Sequence, residues 1–280
     1  MELNRAGHTV TAIVRPESDT SRLIASVPSA NLVRYDGDVQ TLSALLAEHS
    51  IEAILHLAAH QDQSDSVAAV LPLVRSNVEF TAALAAAAQL ADVQAFINTG
   101  TFSQHHGGTE RYEPSTPYAA SKQAASALLE YYRQTGPMAC VTLELTDVYG
   151  PGDPRGKLLD LVVHAADSGK PLALTPGEQQ VSFVHVDDVV KAFVGVADGL
   201  RAGRDYDRVY SVAAARLMTL RETVELLLRV TGREAQLVWG GLPYPRRQVM
   251  RPFFHDPPPG WIPEIAPEIG FLEVFGARDT

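Results

Sequence analysis

The chain has 280 residues, 46% of them hydrophobic and 20% charged, which excludes a disordered chain and allows one large domain or two small ones. Its 23 Lys and Arg against 33 Asp and Glu leave a net charge of −10, which excludes a general nucleic-acid surface but not one local basic pocket for a phosphorylated ligand. Cys140 is the only cysteine, so no intrachain disulfide forms and a reducing, cytoplasmic setting is expected; the Ala/Leu stretch from Phe80 to Ala91 is too short to cross a bilayer, the N-terminus lacks a leader pattern, and no membrane partner is expected.

In chain order, His8–Val14 reads as a strand, Asp19–Val27 as a loop and short helix, Asn31–Tyr35 as a strand and Val39–His49 as a helix. Glu52–Leu57 is a near-continuous apolar strand, Ser66–Leu90 a long Ala-rich helix, Val93–Thr99 a strand, Thr116–Gln134 a helix and Met138–Leu145 a strand. This alternation predicts an α/β fold, a parallel sheet covered by helices on both faces. After a Gly/Pro turn cluster at 150–154 the pattern loosens. Helices at Lys157–Ala166 and Asp187–Leu200 mix with strands at Pro171–Leu174 and Val181–His185. Thr219-Leu220-Arg221-Glu222 reads as a capping box opening a helix to about Val230, and Arg246–Ile269 reads as irregular. Residues 1–149 form the expected nucleotide-binding domain and residues 150–280 a smaller lobe facing the substrate.

Tyr118-Ala119-Ala120-Ser121-Lys122 is the sharpest motif. Residues four apart share a helix face, and an ammonium beside a phenol moves its pKa toward the neutral range. The plainer reading is two surface residues on an ordinary helix. Upstream, Phe96–Thr101 (FINTGT) ends a strand with small hydroxyl residues, where catalytic groups of open α/β sheets lie. Thr101 is placed to donate to a substrate carbonyl, or else is a routine loop threonine. His56-Leu57-Ala58-Ala59 ends the preceding strand with residues small enough for close approach to a flat cofactor.

The segments AGHTVTAIVR, YDGDV, AILHLAA, FINTGTF, PYAASK, DVYGPGD and FVHVDDVVKAF run in order from Ala6 to Phe193. With them the chain resembles the extended short-chain dehydrogenase/reductases of the NAD(P)-dependent epimerase/dehydratase family. TGTFSQH, TPGEQ and VHVDDVV look most like the nucleotide-deoxysugar 4-ketoreductase branch. The resemblance implies a Rossmann-type doubly wound parallel sheet with a smaller C-terminal substrate lobe. It implies Thr101, Tyr118 and Lys122 as the catalytic set: Tyr118 the acid, Lys122 the holder of the nicotinamide ribose, Thr101 the orienter of the carbonyl. Tyr118 and Lys122 thereby also touch the cofactor. Asp38 and Val39 would meet the adenine, and Leu57, Ala58 and Ala59 would line the cofactor. Arg15, where NAD-selective relatives carry an acid, would suit a 2′-phosphate and favour NADP(H) over NAD(H), unless it is a solvent-facing charge. The implied substrate is a nucleotide sugar, reduced at a keto group. An NAD-dependent 4-epimerase and a non-catalytic, cofactor-sensing protein are the alternatives. A homodimer through the two long helices is implied by the same analogy.

Three departures qualify the resemblance. The family's Gly-x-x-Gly-x-x-Gly opening is not found: only Gly7 precedes Gly37, and Met1–Ala6 fits the last turns of the first helix. The sheet is thus expected to lack its first, central strand, leaving edges unpaired on two neighbours. Either an internal methionine of a longer protein has been taken as the start, or the chain is a true truncation with little cofactor affinity; the well-formed remainder favours the first. Phe102-Ser103 follow Thr101 where dehydratases carry Asp-Glu, so water loss lacks an acid–base pair. Val181-Ser182 stand where many nucleotide-sugar relatives carry Arg-Asp, with Lys157, Arg246 or Arg251 as substitutes. His60, His105 and His106 lack a carboxylate at useful spacing, so no metal is expected. Asp187 reads as an N-cap, Cys140 as an inert core thiol, and Glu110 and Glu113 as a solvated loop.

Overall fold

A computed structural model describes residues 2–35, 37–153 and 156–276. Asp36 of the YDGDV segment and Pro154 of the expected turn lie outside the described residues. The chain divides into two compact units: Met1–Gly100, Ser121–Thr142 and Phe193–Arg208 in one, Thr101–Ala120, Leu143–Ala192 and Val209–Thr280 in the other.

In the first unit, α1 (Glu2–Arg5) stops at Gly7, whose φ of 85° lets His8 N–H reach back to the Leu3 carbonyl at 2.9 Å. β1 (Thr11–Val14) pairs in parallel with β2 (Asn31–Arg34), Thr11 opposite Asn31, around the short α2 (Ser21–Ser26). Asp38 caps α3 (Val39–Glu48), accepting from Thr41 N at 2.8 Å. β3 (Ala53–His56) pairs in parallel with β4 (Ala95–Thr101), and β4 with β5 (Ala139–Leu145). β1 and β2 form their own two-stranded sheet; among the described residues no ladder joins them to β3. That is the interruption expected of a doubly wound sheet without its first strand. β4 is buried along nearly its whole length, as a strand covered on both faces must be, whereas β1 is only half-buried throughout.

The stretch Phe80–Ala91 falls at the end of the long helix expected over Ser66–Leu90, and that whole helix is longer than the stretch taken alone. Val67–Leu90 runs 24 residues, long and apolar enough by length and composition to cross a membrane. It comprises α4 (Val67–Leu73), a π-helical segment (Val74–Glu79) and α5 (Phe80–Leu90). Its second half packs as a core helix, Leu84, Ala85, Ala87 and Ala88 against Leu42, Leu46, Phe96 and Cys140, whereas Val67, Leu71 and Val74 of the first half are exposed. Burying a side chain such as Phe96 contributes about 2–3 kcal/mol. Cys140 is a buried free thiol pushed up to about 12 by burial, the inert residue expected.

In the second unit, β6 (Asp147–Tyr149) pairs in parallel with β9 (Phe183–His185). β7 (Leu172–Leu174) pairs with β12 (Leu237–Trp239), and β8 (Gln180–Val181) runs antiparallel to β11 (Met218–Thr219). The strand expected over Val181–His185 is split at Ser182, whose hydroxyl donates to Thr146 Oγ1 (3.3 Å) and accepts from Ala214 N (2.9 Å). α7 spans Leu158–Ser168. α9 (Leu220–Thr231) opens with the predicted capping box of Thr219 and Glu222. α8 (Val186–Arg201) begins before Asp187, which sits inside its first turn rather than capping it. Two elements escape the sequence pattern. β10 (Val209–Val212) joins the edge of β5, and α10 (Pro267–Phe275) starts inside the tail expected to be irregular, its proline being tolerated at the first helical position. Phe271 of α10 joins Tyr149, Leu220, Val224 and Leu227 in this unit's core.

Candidate active site

Thr116 begins α6 (Pro117–Thr135), its hydroxyl accepting from Ala119 N at 3.2 Å, with Pro117 at the first helical position. The cap fixes where the helix starts and hence which residues face together: Tyr118 and Lys122 fall one turn apart. Both are buried, Tyr118 at 7% exposure and Lys122 at 1%. This overturns the plain reading of two surface residues. α6 carries Tyr118 in the second unit and Lys122 in the first.

Burial brings the Lys122 amine down to about 8. His56, at the end of β3, is also buried, and burial with the nearby Lys122 charge takes its imidazole down to about 3, so it is neutral at working pH. Thr81 Oγ1 donates to the Asn77 carbonyl at 2.8 Å and so accepts from His56 Nε2–H, also at 2.8 Å. Asn77 lies in the π-helical segment, a helix irregularity common at functional sites. Its amide accepts from His60 N (2.8 Å) and donates to His60 O (3.0 Å) and to Ser121 Oγ (2.9 Å). Asn77 thus clamps the loop after β3 and touches the residue adjoining Lys122.

Thr101 is buried at the end of β4. Its hydroxyl lies 2.9 Å from Ser103 Oγ, and its N–H donates to Gln104 Oε1, a reciprocal cap on the 3-10 turn Phe102–Gln104. That turn is laced to the approach of α6: Glu113 N donates to Gln104 O and Ser115 N to Ser103 O, both at 2.9 Å. Thr101 and Tyr118 therefore stand on two cross-linked segments of one unit.

The residues expected around a dinucleotide fall at strand ends. Leu57, Ala58 and Ala59 are exposed directly after β3, Leu57 at 61%. Asp38 is exposed, its carboxyl held low by the Thr41 hydroxyl and amide, and Val39 is half-buried behind it. Arg15 is exposed after β1, and the Arg34 guanidinium donates to its carbonyl at 3.3 Å. These residues fit a nicotinamide dinucleotide at its ribose and adenine ends: a buried ammonium on α6, small residues open beyond β3, and basic residues just after β1 and at the end of β2. At the diphosphate the residues present do not supply the glycine loop that would let backbone approach closely. Asn77, Thr81, His56 and Ser121 were not singled out for roles by the sequence reading. The available signal was the polar run Arg75-Ser76-Asn77 within an otherwise Ala-rich helix.

The profile of the family described as "NAD dependent epimerase/dehydratase family" matches residues 1–213. CDP-abequose synthase of Yersinia pseudotuberculosis is 26% identical over 240 residues, 86% of this chain and 78% of that protein. UDP-glucose 4-epimerase of Mycolicibacterium smegmatis is 32% identical over 216 residues, 72% of this chain and 69% of that protein. The crystal structure of UDP-glucuronic acid 4-epimerase from Bacillus cereus, in complex with UDP-glucuronic acid and NAD, superposes with a TM-score of 0.82 at 19% identity, covering 98% of this chain and 91% of that one. The chain belongs to the NAD-dependent epimerase/dehydratase family, NAD(P)-dependent enzymes of the extended short-chain dehydrogenase/reductase type.

Proposed function

We propose that this chain reduces a keto group of a nucleotide-linked 4-keto-deoxysugar with NADP(H), Tyr118 acting as the acid. The observation that carries the reading is the buried pair on α6, Tyr118 and a Lys122 amine lowered to about 8. A bound nicotinamide cofactor supplies the hydride to the carbonyl carbon. Tyr118 gives its phenolic proton to the carbonyl oxygen, so the carbonyl becomes an alcohol and the phenolate is reprotonated from solvent. Lys122 holds the nicotinamide ribose and favours the phenolate. Thr101 orients the carbonyl, and Asn77 holds the segment beside Lys122 in place. Modification of nucleotide sugars is the shared activity of the relatives in their printed names, and the likeness to CDP-abequose synthase across most of both chains supports the keto-deoxysugar.

Arg15 supports NADP(H): it stands exposed after β1, near Arg34, where a 2′-phosphate finds bidentate donors. Val39, Leu57, Ala58 and Ala59 line the rest of the cofactor, with Asp38 turning the chain into α3. Phe102 and Ser103 provide no acid–base pair for dehydration. We further propose a cytoplasmic homodimer. Val67, Leu71 and Val74 form an exposed apolar row along the long helix, and light scattering at chromatographic elution reads the oligomer directly.

The test is incubation of the purified chain with a nucleotide-linked 4-keto-6-deoxyhexose at millimolar NADPH. Stoichiometric NADPH oxidation with a reduced sugar product is expected. The likeness to UDP-glucose 4-epimerase favours one second reading, 4-epimerisation. Interconversion of a UDP-hexose pair without net cofactor consumption, and no reduction of the keto sugar, would replace the first reading by the second.

A further inference from the structure

The second unit gathers two imidazoles and a carboxylate that the proposed reaction does not use. His105 follows the 3-10 turn after Thr101, Glu144 lies on β5, and His255 comes from the irregular tail. One ligand atom from each lies within 4.8 Å of the others. His105 Nε2 is 3.3 Å from Glu144 Oε1, and His255 Nε2 is 3.7 Å from Glu144 Oε2. The carboxylate thus turns one oxygen toward each ring. Donor atoms of a tetrahedral zinc site, at about 2.0–2.2 Å from the ion, lie about 3.3 Å apart.

Hydrogen bonding supplies a second and independent observation. His105 Nδ1 faces the Arg111 carbonyl at 3.3 Å, and a carbonyl only accepts, so Nδ1 carries the proton. Nε2 then faces the carboxylate oxygen either with a second proton or, in the neutral ring, with a lone pair that a metal cation between the two would satisfy. Glu144 is 3% exposed, and its Oε2 is a buried oxygen without a hydrogen bond. A ring nitrogen bonded through its other N–H to a backbone carbonyl is the usual support of a metal-ligating histidine. The rest of the surroundings is built to match. Gln104 Nε2 donates to Glu144 Oε1 at 3.3 Å, orienting the carboxylate. Ser211 Oγ accepts from His255 N at 2.9 Å, fixing the tail at that residue. The Phe253 ring packs against both imidazoles, at 5.2 and 4.9 Å between centroids, and shields them from water.

We propose that His105, Glu144 and His255 bind a divalent transition-metal cation of the zinc type. The set differs from the His60, His105 and His106 group that the sequence made visible, because its carboxylate and second histidine are far away in the chain. Two nitrogens and a carboxylate suit zinc or cobalt better than the oxygen-seeking magnesium or calcium. The ion would tie the tail at residue 255 to β5 and to the turn after Thr101.

The experiment titrates Co²⁺, then Zn²⁺, into the tag-free chain stripped with chelator. One equivalent of Co²⁺ should bind with the visible bands of a low-coordinate site, and Zn²⁺ should displace it. Glu144→Gln and His255→Ala should each weaken binding about 100-fold or more, while His106→Ala leaves it unchanged. His255 is on a partly exposed tail and its backbone is held independently, so His255→Ala keeps the fold even if Glu144→Gln does not; circular dichroism checks both. No saturable binding to the wild-type chain, meaning that only a proton bridges the cluster, would overturn the proposal. So would binding that survives His255→Ala in a folded protein.

Discussion

The Asn77 amide donates to Ser121 Oγ at 2.9 Å, joining the π-helical segment of the long helix to the residue immediately before Lys122. The same side chain brackets the His60 backbone, so one buried amide sets both the loop after β3 and the flank of α6. Asn77→Ala should lower kcat about 100-fold, the order of loss when a reacting group is displaced by about an ångström. Asn77→Asp should lose donation to Ser121 and to the His60 carbonyl while keeping acceptance from His60 N–H. Steady-state kinetics beside a melting curve check this; a fall in Tm with kcat intact would make Asn77 structural only.

Tyr118→Phe removes the transferable proton and nothing else of the ring's shape. Turnover of the keto sugar should fall by about 10²–10⁴-fold, with the melting temperature little changed. Unchanged NADPH oxidation would remove Tyr118 from the chemistry.

Lys122 links activity to stability with opposite signs. Its amine is lowered from 10.5 to about 8 by burial, which corresponds to roughly 3 kcal/mol of disfavoured charge in the folded state. Between those values the unfolded chain holds more protons than the folded one, so this contribution raises stability as pH increases from about 8 toward 10.5. At pH 7 the folded protein carries the full cost of the buried charge. Lys122→Met should therefore raise stability at pH 7 in urea titration, lose the alkaline gain of the wild type, and abolish turnover. A wild-type stability that is flat or falls over that range, after subtraction of the Met variant's profile, would contradict the assignment.

Much of this arrangement was legible because it is local. The Thr116-Pro117 start, the Tyr118–Lys122 spacing and the Thr219–Glu222 box are each set within four residues, and helix geometry does the rest. The break between β1 and β3 was legible for a different reason: a parallel strand order leaves a defined gap when no glycine-turn unit is present. What the pattern missed depends on distant partners. Asn77 reads as an interruption of an apolar helix until His60 and Ser121 are brought to it. Glu144 reads as a polar residue in a strand until His255 arrives from the tail. α10 was hidden because Pro267, a breaker inside a helix, is an ordinary first residue of one.

His56 makes the protein sensitive to acid. Burial and the Lys122 charge hold its folded value at about 3, against an ordinary 6.5. The unfolded chain binds the extra proton from about pH 6.5 downward, so stability falls as pH drops through that range and levels off only near pH 3. His56→Gln should remove this part of the acid slope, read as the difference between urea midpoints at pH 7 and pH 5. An equal slope in both proteins would show that other groups set it.

Cofactor affinity separates the two ends of the dinucleotide. In the proposed placement Lys122, Leu57–Ala59 and the Asp38–Val39 turn meet the ribose and adenine ends, but residues 1–280 hold no Gly-x-x-Gly-x-x-Gly loop to bring backbone N–H groups against the diphosphate. Calorimetric titration of this chain should give a weak NADPH complex, with Kd far above the micromolar range. Arg15→Asp should weaken NADPH further while sparing NADH if, as proposed, the guanidinium meets only the 2′-phosphate. Tight NADPH binding would show that other groups satisfy the diphosphate, and equal losses for both cofactors would remove Arg15 from the 2′-phosphate.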